Sequence, residues 1–228
     1  LLPEYLSDRL PVVGRGLAVL DVRIRRPGKP VHEVMGGLEQ PSVIAAGAEL
    51  IQRWQALDRQ LSAKSDPMAG RESAFVGKVA AGEIYNQSPI EFECSGTRRW
   101  LPGTSPADVE REFFALMADL SASTGTAVEG KFQLIRDAFR LPESHAAIDA
   151  FQSAYQSISG APLKIGPKPF VDDGNTFSLL AGIPAITHGP DARGAHTVKG
   201  EVPVKELVRV DAPDERAAVA FCGASPAP

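Results

Sequence analysis

Cysteine and histidine are scarce in this sequence, which limits the metal and disulfide chemistry that it can carry. The 228 residues include two cysteines, Cys94 and Cys222. They are far apart and form no C-x-x-C motif, so neither a disulfide framework nor a cysteine-rich zinc site is indicated, and a reducing cytoplasm is predicted. The histidines are His32, His145, His188 and His196. No two of them have the short spacing that is typical of paired metal ligands.

Long hydrophobic runs and an excess of basic residues are also missing. No apolar run approaches the roughly 20 residues that span a bilayer. The first residues, Leu-Leu-Pro-Glu, lack the basic start and apolar core of a signal peptide, and the absence of an initial Met suggests a cut chain. The formal net charge is −4, without a basic stripe, so neither nucleic acid nor a membrane is expected as a partner.

The apolar residues that are present have the periodicity of six elements in a compact domain. Alternation indicates strands and spacings of three and four indicate amphipathic helices. The elements are a strand over residues 17–25, a helix opened by Pro41, strands over 75–81 and 90–94, a helix capped by Ser105, and a strand over 128–134. The order strand, helix, strand, strand, helix, strand predicts a ferredoxin-like sandwich.

After residues 141–142 the pattern changes to that of α/β layers. A helix is predicted from Ile148 to Ile158, ended by Gly160, and short apolar runs follow around Phe170 and over residues 183–186. Residues 211–215 contain Pro213 and are expected to interrupt a terminal helix. Fewer than a hundred residues remain here, so this second domain is expected to be incomplete.

Four separated segments resemble one family, the zinc amidohydrolases that include acetylornithine deacetylase, succinyl-diaminopimelate desuccinylase and carboxypeptidases. They are residues 28–32 (GKPVH), 84–89 (IYNQSP), 99–103 (RWLPG) and 189–197 (GPDARGAHT). The resemblance implies an α/β protein in which a ferredoxin-like lid, the dimerisation domain, is inserted into a zinc-hydrolase catalytic domain. The lid is then residues 16–140, residues 1–15 are a remnant of the catalytic domain, and residues 141–228 are its C-terminal part.

The same resemblance implies an activity for the complete protein. Family members use two zinc ions, or cobalt or manganese, to activate a water that cleaves the amide bond of N-acyl amino acids or small peptides. Residues 96–102 (GTRRWLP) and 168–175 (KPFVDDGN) look closest to acetylornithine deacetylase-like members. The family's other metal ligands and its general base lie before the lid and have no counterpart in residues 1–15. This chain alone is therefore expected to be an inactive fragment that forms a homodimer through its lid.

The resemblance assigns a role to each of six residues. His196 is the metal ligand, and His32 reaches across the dimer to stabilise the oxyanion. Asn86 and Arg99 hold the substrate carboxylate, as an amide donor and a guanidinium fork can. Gly189 and Pro190 form the loop whose backbone faces the substrate.

Each of these assignments has a structural alternative. A lone histidine such as His196 is more often structural, and His32 could be a solvated loop residue. Asn86 could be present for its backbone preference in a turn, and Gly189 and Pro190 could form an ordinary turn. Arg99 could pair with Glu91 or Glu93 of the same sheet. Arg98, the preceding residue, could then take the substrate-binding role instead.

Other polar residues are predicted to be structural. Asp172 and Asp173 are adjacent, so their side chains are expected to face opposite ways, with Asp173 as a helix N-cap. His145 and His188 are likewise expected to have structural roles. A hypothesis of another class stays open for the whole chain, a non-catalytic dimerisation or ligand-binding module that has lost the metal-binding half.

Overall fold

A computed structural model describes residues 1–35, 40–194 and 197–223, which form two compact units. Unit 1 comprises Leu1–Arg15, Asp66–Gly70 and Ala138–Pro228. Unit 2 comprises Gly16–Ser65 and Arg71–Asp137. The elements in chain order are β1 (Val13–Gly14), β2 (Gly16–Arg25), β3 (Val31–His32), α1 (Val43–Leu61), β4 (Ser65–Asp66), β5 (Gly70–Arg71), β6 (Ser73–Ala81), β7 (Gln87–Ser88), β8 (Glu91–Trp100), α2 (Pro106–Thr124), β9 (Ala127–Arg136), β10 (Phe139–Arg140), α3 (Ala146–Ser159), α4 (Gly174–Leu180) and α5 (Val204–Cys222).

Unit 2 is built on an antiparallel sheet with the strand order β6-β8-β2-β9. Along β2 and β8 every second residue is buried, as expected for strands with one covered face. Val22 on β2 pairs with Cys94 on β8 and with Gly130 on β9, so the central strand is bonded on both sides. This order confirms the predicted ferredoxin-like sandwich.

Helices α1 and α2 pack against this sheet, and side chains cap their first turns. The Ser105 hydroxyl accepts a hydrogen bond from Asp108 N, with Pro106 as the first helical residue, so the predicted cap is confirmed. Helix α1 begins two residues after Pro41, because Ser42 caps it by accepting from Ala45 N. The helices bury Leu50, Trp54 and Leu120.

A buried ion pair lies within unit 2. The Arg98 Nη2 atom is 2.8 Å from Glu72 Oε2, and both side chains are almost fully buried. Glu72 also accepts from the Thr104 hydroxyl, and Arg98 reaches the half-exposed Glu112 at 3.1 Å. Such pairing compensates for the cost of burying both charges.

Unit 1 has little regular sheet among its described residues. Strands β1 and β10 form a two-residue antiparallel ladder. Isolated parallel bridges join Leu2 to Thr187 and Leu10 to Ile165. The apolar runs around Phe170 and over residues 183–186 form no strand in the described structure, because a strand needs a continuous ladder and only single bridges are present.

Two helices of unit 1, α3 and α5, pack against each other. Helix α3 ends at Gly160, which adopts a left-handed conformation with φ 85° as its predicted position requires. The expected interruption at residues 211–215 is wrong, since α5 runs through Pro213. Proline costs an interior helical hydrogen bond, but Pro213 is buried with Val210 and Ala217 on one face, and that burial offsets the loss. None of the helices in the described residues is long and apolar enough to cross a membrane.

Candidate functional site

In unit 2, the structure brings together His32 and Asn86. Strand β3 pairs with β7 so that Val31 faces Ser88 and His32 faces Gln87. The Asn86 side-chain amide lies 2.9 Å from His32 Nε2, and Glu33 N donates to the Asn86 carbonyl at 3.0 Å. Two segments that are distant in sequence are thus joined by both backbone and side-chain hydrogen bonds.

Each ring nitrogen of His32 has one polar neighbour. Asn86 Nδ2 lies 2.9 Å from Nε2, and Val34 N lies 3.4 Å from Nδ1. Both neighbours are donors and a neutral imidazole accepts at only one nitrogen, so the two contacts require opposite tautomers. With the hydrogen on Nε2 and the Asn86 amide turned to present its oxygen, the ring would offer an N–H donor of the kind that can stabilise a developing oxyanion.

A cavity of about 260 Å³ lies beside the β3–β7 ladder. Its lining combines residues next to the pair, Pro30 and Gln87, with the end of β6 at Ala80 and Ala81. Acidic side chains, Glu83, Glu91 and Glu93, also line it. The cavity is open and mixed in polarity, so it can admit a small polar molecule but does not enclose one.

Arg99 lies far from the His32–Asn86 pair within unit 2. It pairs with Leu17 and Ser73, whereas Glu91, at the start of the same strand, pairs with Arg25 near the β3–β7 ladder. At ~3.3 Å per residue this separates Arg99 from that end of β8 by about 25 Å. One chain therefore does not assemble all three residues of unit 2 in one place.

The Arg99 guanidinium is nevertheless able to bind a further acceptor. Its Nη1 atom is buried without a hydrogen-bond partner in the described part of the chain, and burial lowers its pKa. Glu91 and Glu93, the suggested structural partners, bond to Arg25 and Arg23 instead. Arg98 points to the other face of β8, where Glu72 binds it.

In unit 1, Gly189 is a site of close backbone approach. Its N–H donates to the Leu6 carbonyl at 3.0 Å, and Arg209 Nη2 lies 3.5 Å from its carbonyl oxygen. A Cβ atom at this position would lie 1.8 Å from the Glu4 carbonyl, so only glycine fits. Gly189 and Pro190 are both buried. The packing explains the glycine, and the role of the two residues towards substrate stays a prediction.

The predicted metal ligand His196 lies outside the described residues, as does Ala195. On one side of it, Gly194 has a φ of 62°, a conformation that favours glycine, and it accepts a hydrogen bond from the Thr197 hydroxyl at 2.7 Å. Among residues 1–35, 40–194 and 197–223 no three or more His, Cys, Asp or Glu side chains converge as a metal site would require. Zinc binding through His196 therefore stays a prediction.

The structure has Asp172 buried and Asp173 exposed, which agrees with the predicted opposite orientations, but the sequence did not predict the network around Asp172. Asp172 accepts from Lys168 Nζ at 2.5 Å and from the Thr187 hydroxyl at 2.6 Å. Burial lowers the pKa of Lys168 and Asp172 partly opposes that shift. Asp173 occupies the N-cap position of α4 without a side-chain cap bond, and it is Asp172 that accepts from Gly174 N.

The two remaining histidines have the structural surroundings that were predicted. His145 is the N-cap residue of α3, and its Nδ1 accepts from Ala147 N at 3.1 Å. His188 is fully buried, with Nδ1 3.1 Å from Asp214 Oδ1 and its ring edge-on to Phe151. The Asp214 contact carries no local sequence signal, because the partner lies on α5.

Solved structures that match this fold include metallopeptidases and related hydrolases. A tripeptidase from Staphylococcus aureus matches with a TM-score of 0.76 at 17% identity, over 94% of this chain and 54% of that one. Aminopeptidase PepT from Bacillus cereus matches with a TM-score of 0.73 at 16% identity, over 95% and 55% of the two chains. The YxeP protein of Bacillus subtilis, a dinuclear metal-binding peptidase from the M20 family, matches with a TM-score of 0.65 at 15% identity, over 98% and 56%.

No protein-family model matches the sequence, and no curated protein matches it either. The chain spans about half the length of the solved structures named above. The neighbours confirm, at the level of the fold, the resemblance carried by the four sequence segments. The chain thus has the fold of about half of an M20-type metallopeptidase or amidohydrolase chain.

Proposed function

We propose that this chain is part of a metal-dependent hydrolase whose complete form cleaves the amide bond of N-acyl amino acids or small peptides. Two zinc ions would activate the attacking water, with His196 as one ligand, and the acyl substrate would be of the acetylornithine deacetylase type. The peptidase fold of the solved neighbours supports the reaction class. We also place the protein in the cytoplasm, as its cysteine usage predicts.

The observation that carries this proposal is the contact between His32 and Asn86. Both residues belong to segments that resemble the family, and they meet at 2.9 Å. A histidine that presents Nε2–H can stabilise the oxyanion formed when water attacks an amide carbon, and an amide side chain beside it can bind a substrate carboxylate. Arg99 lies about 25 Å from this pair within one chain, so its Nη1 would supply a second contact to that carboxylate only from another copy.

The experiment compares this chain with a longer protein that contains it. Zinc per chain is measured by elemental analysis after reconstitution, and hydrolysis is assayed on N-acetyl amino acids and dipeptides. We expect weak zinc binding and no turnover by the 228-residue chain, and turnover with two zinc ions by the longer protein. A longer protein without zinc or turnover would instead favour the non-catalytic dimerisation or ligand-binding module.

His32→Ala in the active longer protein tests the residue. Loss of an oxyanion donor lowers kcat by about 10²–10³-fold, with a smaller effect on KM. The matched control is Lys29→Ala, since the Lys29 side chain is exposed and lies in the same loop. If both variants keep the parent kcat, His32 has no part in the reaction although hydrolysis itself stands.

We further propose that two copies associate through the lid. Strand β6 is an edge of the sheet, and two of its apolar side chains are exposed, Phe75 by 63% and Val79 by 47%. An exposed apolar edge strand can pair with a second copy. In a dimer, His32 of one copy would act in the site of the other, which fits the distance between His32 and Arg99 within one chain.

Light scattering on single variants tests this association. Phe75→Lys should convert a dimer at micromolar concentration to a monomer, because a charge would be buried against the partner strand. Leu134→Lys on β9, the opposite edge, is the matched control, with Leu134 exposed by 48%. A parent chain that is monomeric at these concentrations contradicts the proposal.

A further inference from the structure

Arg26 is a buried cation at the end of β2, where the chain turns towards His32. Its exposed fraction is 6%. Within the described ranges, no carboxylate forms an ion pair with it, whereas the neighbouring Arg23 and Arg25 pair with glutamates on the sheet surface. Burying a guanidinium away from water costs free energy unless its N–H groups are hydrogen-bonded, and Arg26 makes these bonds without a carboxylate.

The compensation comes from four main-chain carbonyls. Arg26 Nε donates to Pro89 O at 2.9 Å, and Nη2 donates to Ser88 O at 3.1 Å. On the other side, Nη1 donates to Pro27 O at 3.1 Å and Nη2 to Lys29 O at 3.3 Å. The single fork therefore binds two separate stretches of backbone.

Those two stretches are the ones that carry the candidate site. Pro27 and Lys29 lie just before His32, and Ser88 and Pro89 lie just after Asn86. The Arg26 backbone N–H adds a further bond to Ile90 O at 3.1 Å. Arg26 is thus hydrogen-bonded to both loops, within a few residues of each member of the His32–Asn86 pair.

The local backbone is shaped around this side chain. Gly28 has a φ of 93°, which only glycine adopts readily, and a Cβ there would lie 3.7 Å from Arg26 Nη1. The left-handed turn wraps residues 27–29 around the guanidinium, so that two carbonyls point at it. Lysine would offer three donors from a single point and could not reproduce the planar fork.

We propose that Arg26 is a positioning residue that sets the distance between His32 and Asn86 by clamping their two loops. The role in catalysis rests on the function proposed above, but the clamp itself is a property of unit 2. Four of the five acceptors are backbone carbonyls and the fifth is the Ser88 hydroxyl at 3.4 Å, so the clamp depends mainly on the guanidinium and little on the identity of the loop side chains. Misplacement of a catalytic group by about 1 Å can cost on the order of 10²-fold in rate.

The test uses Arg26→Lys and Arg26→Met in this chain, with Arg25→Met as the matched control on the same strand. Local order is measured by hydrogen exchange of the Glu33 amide, which bonds Asn86 O, and by the ¹⁵N signals of the His32 ring. Global stability of unit 2 is measured by tryptophan fluorescence in urea, since Trp54 and Trp100 are the two tryptophans of the sequence. We expect Glu33 exchange at least about tenfold faster in both Arg26 variants and unchanged in the control.

Arg26→Lys is the decisive variant, because it keeps the charge and is the less disruptive change. The clamp is supported if Glu33 exchange and the His32 signals change while the exchange of β2 amides at the sheet centre stays as in the parent. It is overturned if the Lys variant keeps Glu33 protection, or if the sheet centre loses protection equally, which would make Arg26 a general stability residue. Neither readout involves turnover, so failure of the hydrolase assignment would be seen separately.

In an active longer protein, Arg26→Lys should lower kcat about tenfold or more with a smaller change in KM.

Discussion

The two units bury polar side chains in different ways. Unit 2 has a four-stranded ladder and a mostly apolar interior, in which Glu72 and Arg98 form a neutralised pair and Arg26 is bonded mainly to backbone carbonyls. Unit 1 has single bridges and two-residue strands in its described part, and its interior includes Lys168, Asp172 and His188. Unit 2 is thus stabilised mainly by the hydrogen bonds of its sheet, whereas unit 1 depends more on hydrogen bonds between particular side chains. Substitutions that remove one kind of support at a time can test this contrast.

The largest effect is expected from Trp100→Ala in unit 2. Trp100 is fully buried, its ring packs on Gly16, and its Nε1 donates to Asp137 at 3.0 Å. Removing a buried aromatic side chain costs about 3–5 kcal/mol in the free energy of unfolding. Urea denaturation followed by the fluorescence of Trp54 measures the loss.

The control for Trp100→Ala is Ile44→Ala on α1, a residue exposed by 48%. It should change the same free energy by less than about 0.5 kcal/mol. Hydrogen exchange of α3 in unit 1 should be unaffected by either change. If α3 exchange rises together with the unit 2 transition, the two units do not unfold independently and the contrast fails.

A slightly smaller effect is expected from Asp172→Asn in unit 1. The amide cannot neutralise Lys168, which stays buried with its Nζ near Thr187 and above the Phe139 ring. Breaking a buried pair by removing one partner costs on the order of 3 kcal/mol. The expected result is faster hydrogen exchange in α4, with the urea transition of the tryptophans unchanged. Asp173→Asn, the exposed neighbour, is the control and should have little effect; equal effects of the two changes would contradict the network.

The smallest effect concerns one thiol in each unit. Burial raises the pKa of Cys94 in unit 2 to about 11, whereas Cys222 at the end of α5 is exposed. Iodoacetamide at pH 8 should therefore label Cys222 and leave Cys94 unmodified until unit 2 unfolds. Mass spectrometry of Cys222→Ser and Cys94→Ser variants gives the two rates separately. Similar rates for the two thiols would show that unit 2 opens readily.

The Cys94 thiol also makes stability depend on pH in alkaline solution. Its pKa is about 11 in the folded protein and 9.0 in the absence of burial. Between these values the unfolded chain has lost the proton that the folded chain still holds, so stability falls as the pH rises. The contribution is complete below pH 9 and is lost as the pH passes 11. Cys94→Ala should flatten this part of the curve for unit 2 unfolding.

The sequence predicts unit 2 well because its signals are local. Alternation at Leu20, Val22 and Ile24 predicts β2, and the Ser105-Pro106 pair predicts the start of α2. Both follow from burial of one face and from capping chemistry within a few residues.

Unit 1 is less predictable because its support is long-range. Thr187 meets Leu2 from the far end of the chain, and the burial of Pro213 depends on packing that no local pattern encodes. The lid bounds predicted at residues 16–140 stay a prediction; the compact unit itself ends at Asp137 and excludes Asp66–Gly70.

The candidate site likewise contains residues that the sequence predicts and residues that it does not. Family-like segments single out His32 and Asn86, and their contact follows from the pairing of β3 with β7. Arg26 could not be found this way, because most of its acceptors are backbone carbonyls, which every residue type carries. Lys168 and Asp172 are four residues apart, a spacing typical of ion pairs on helices, but they lie in a loop, so that spacing would suggest the wrong local structure.

The bridges of Leu2 and Leu10 also determine the order in which the chain can fold. Their partners, Thr187 and Ile165, are synthesised only after all of unit 2. During translation, these two bridges cannot form until Ile165 and Thr187 have been made, whereas unit 2, whose contacts are complete by Asp137, is free to fold first. Formation of the two bridges is then a late, high-contact-order step, and every delay in elongation through residues 138–187 postpones it.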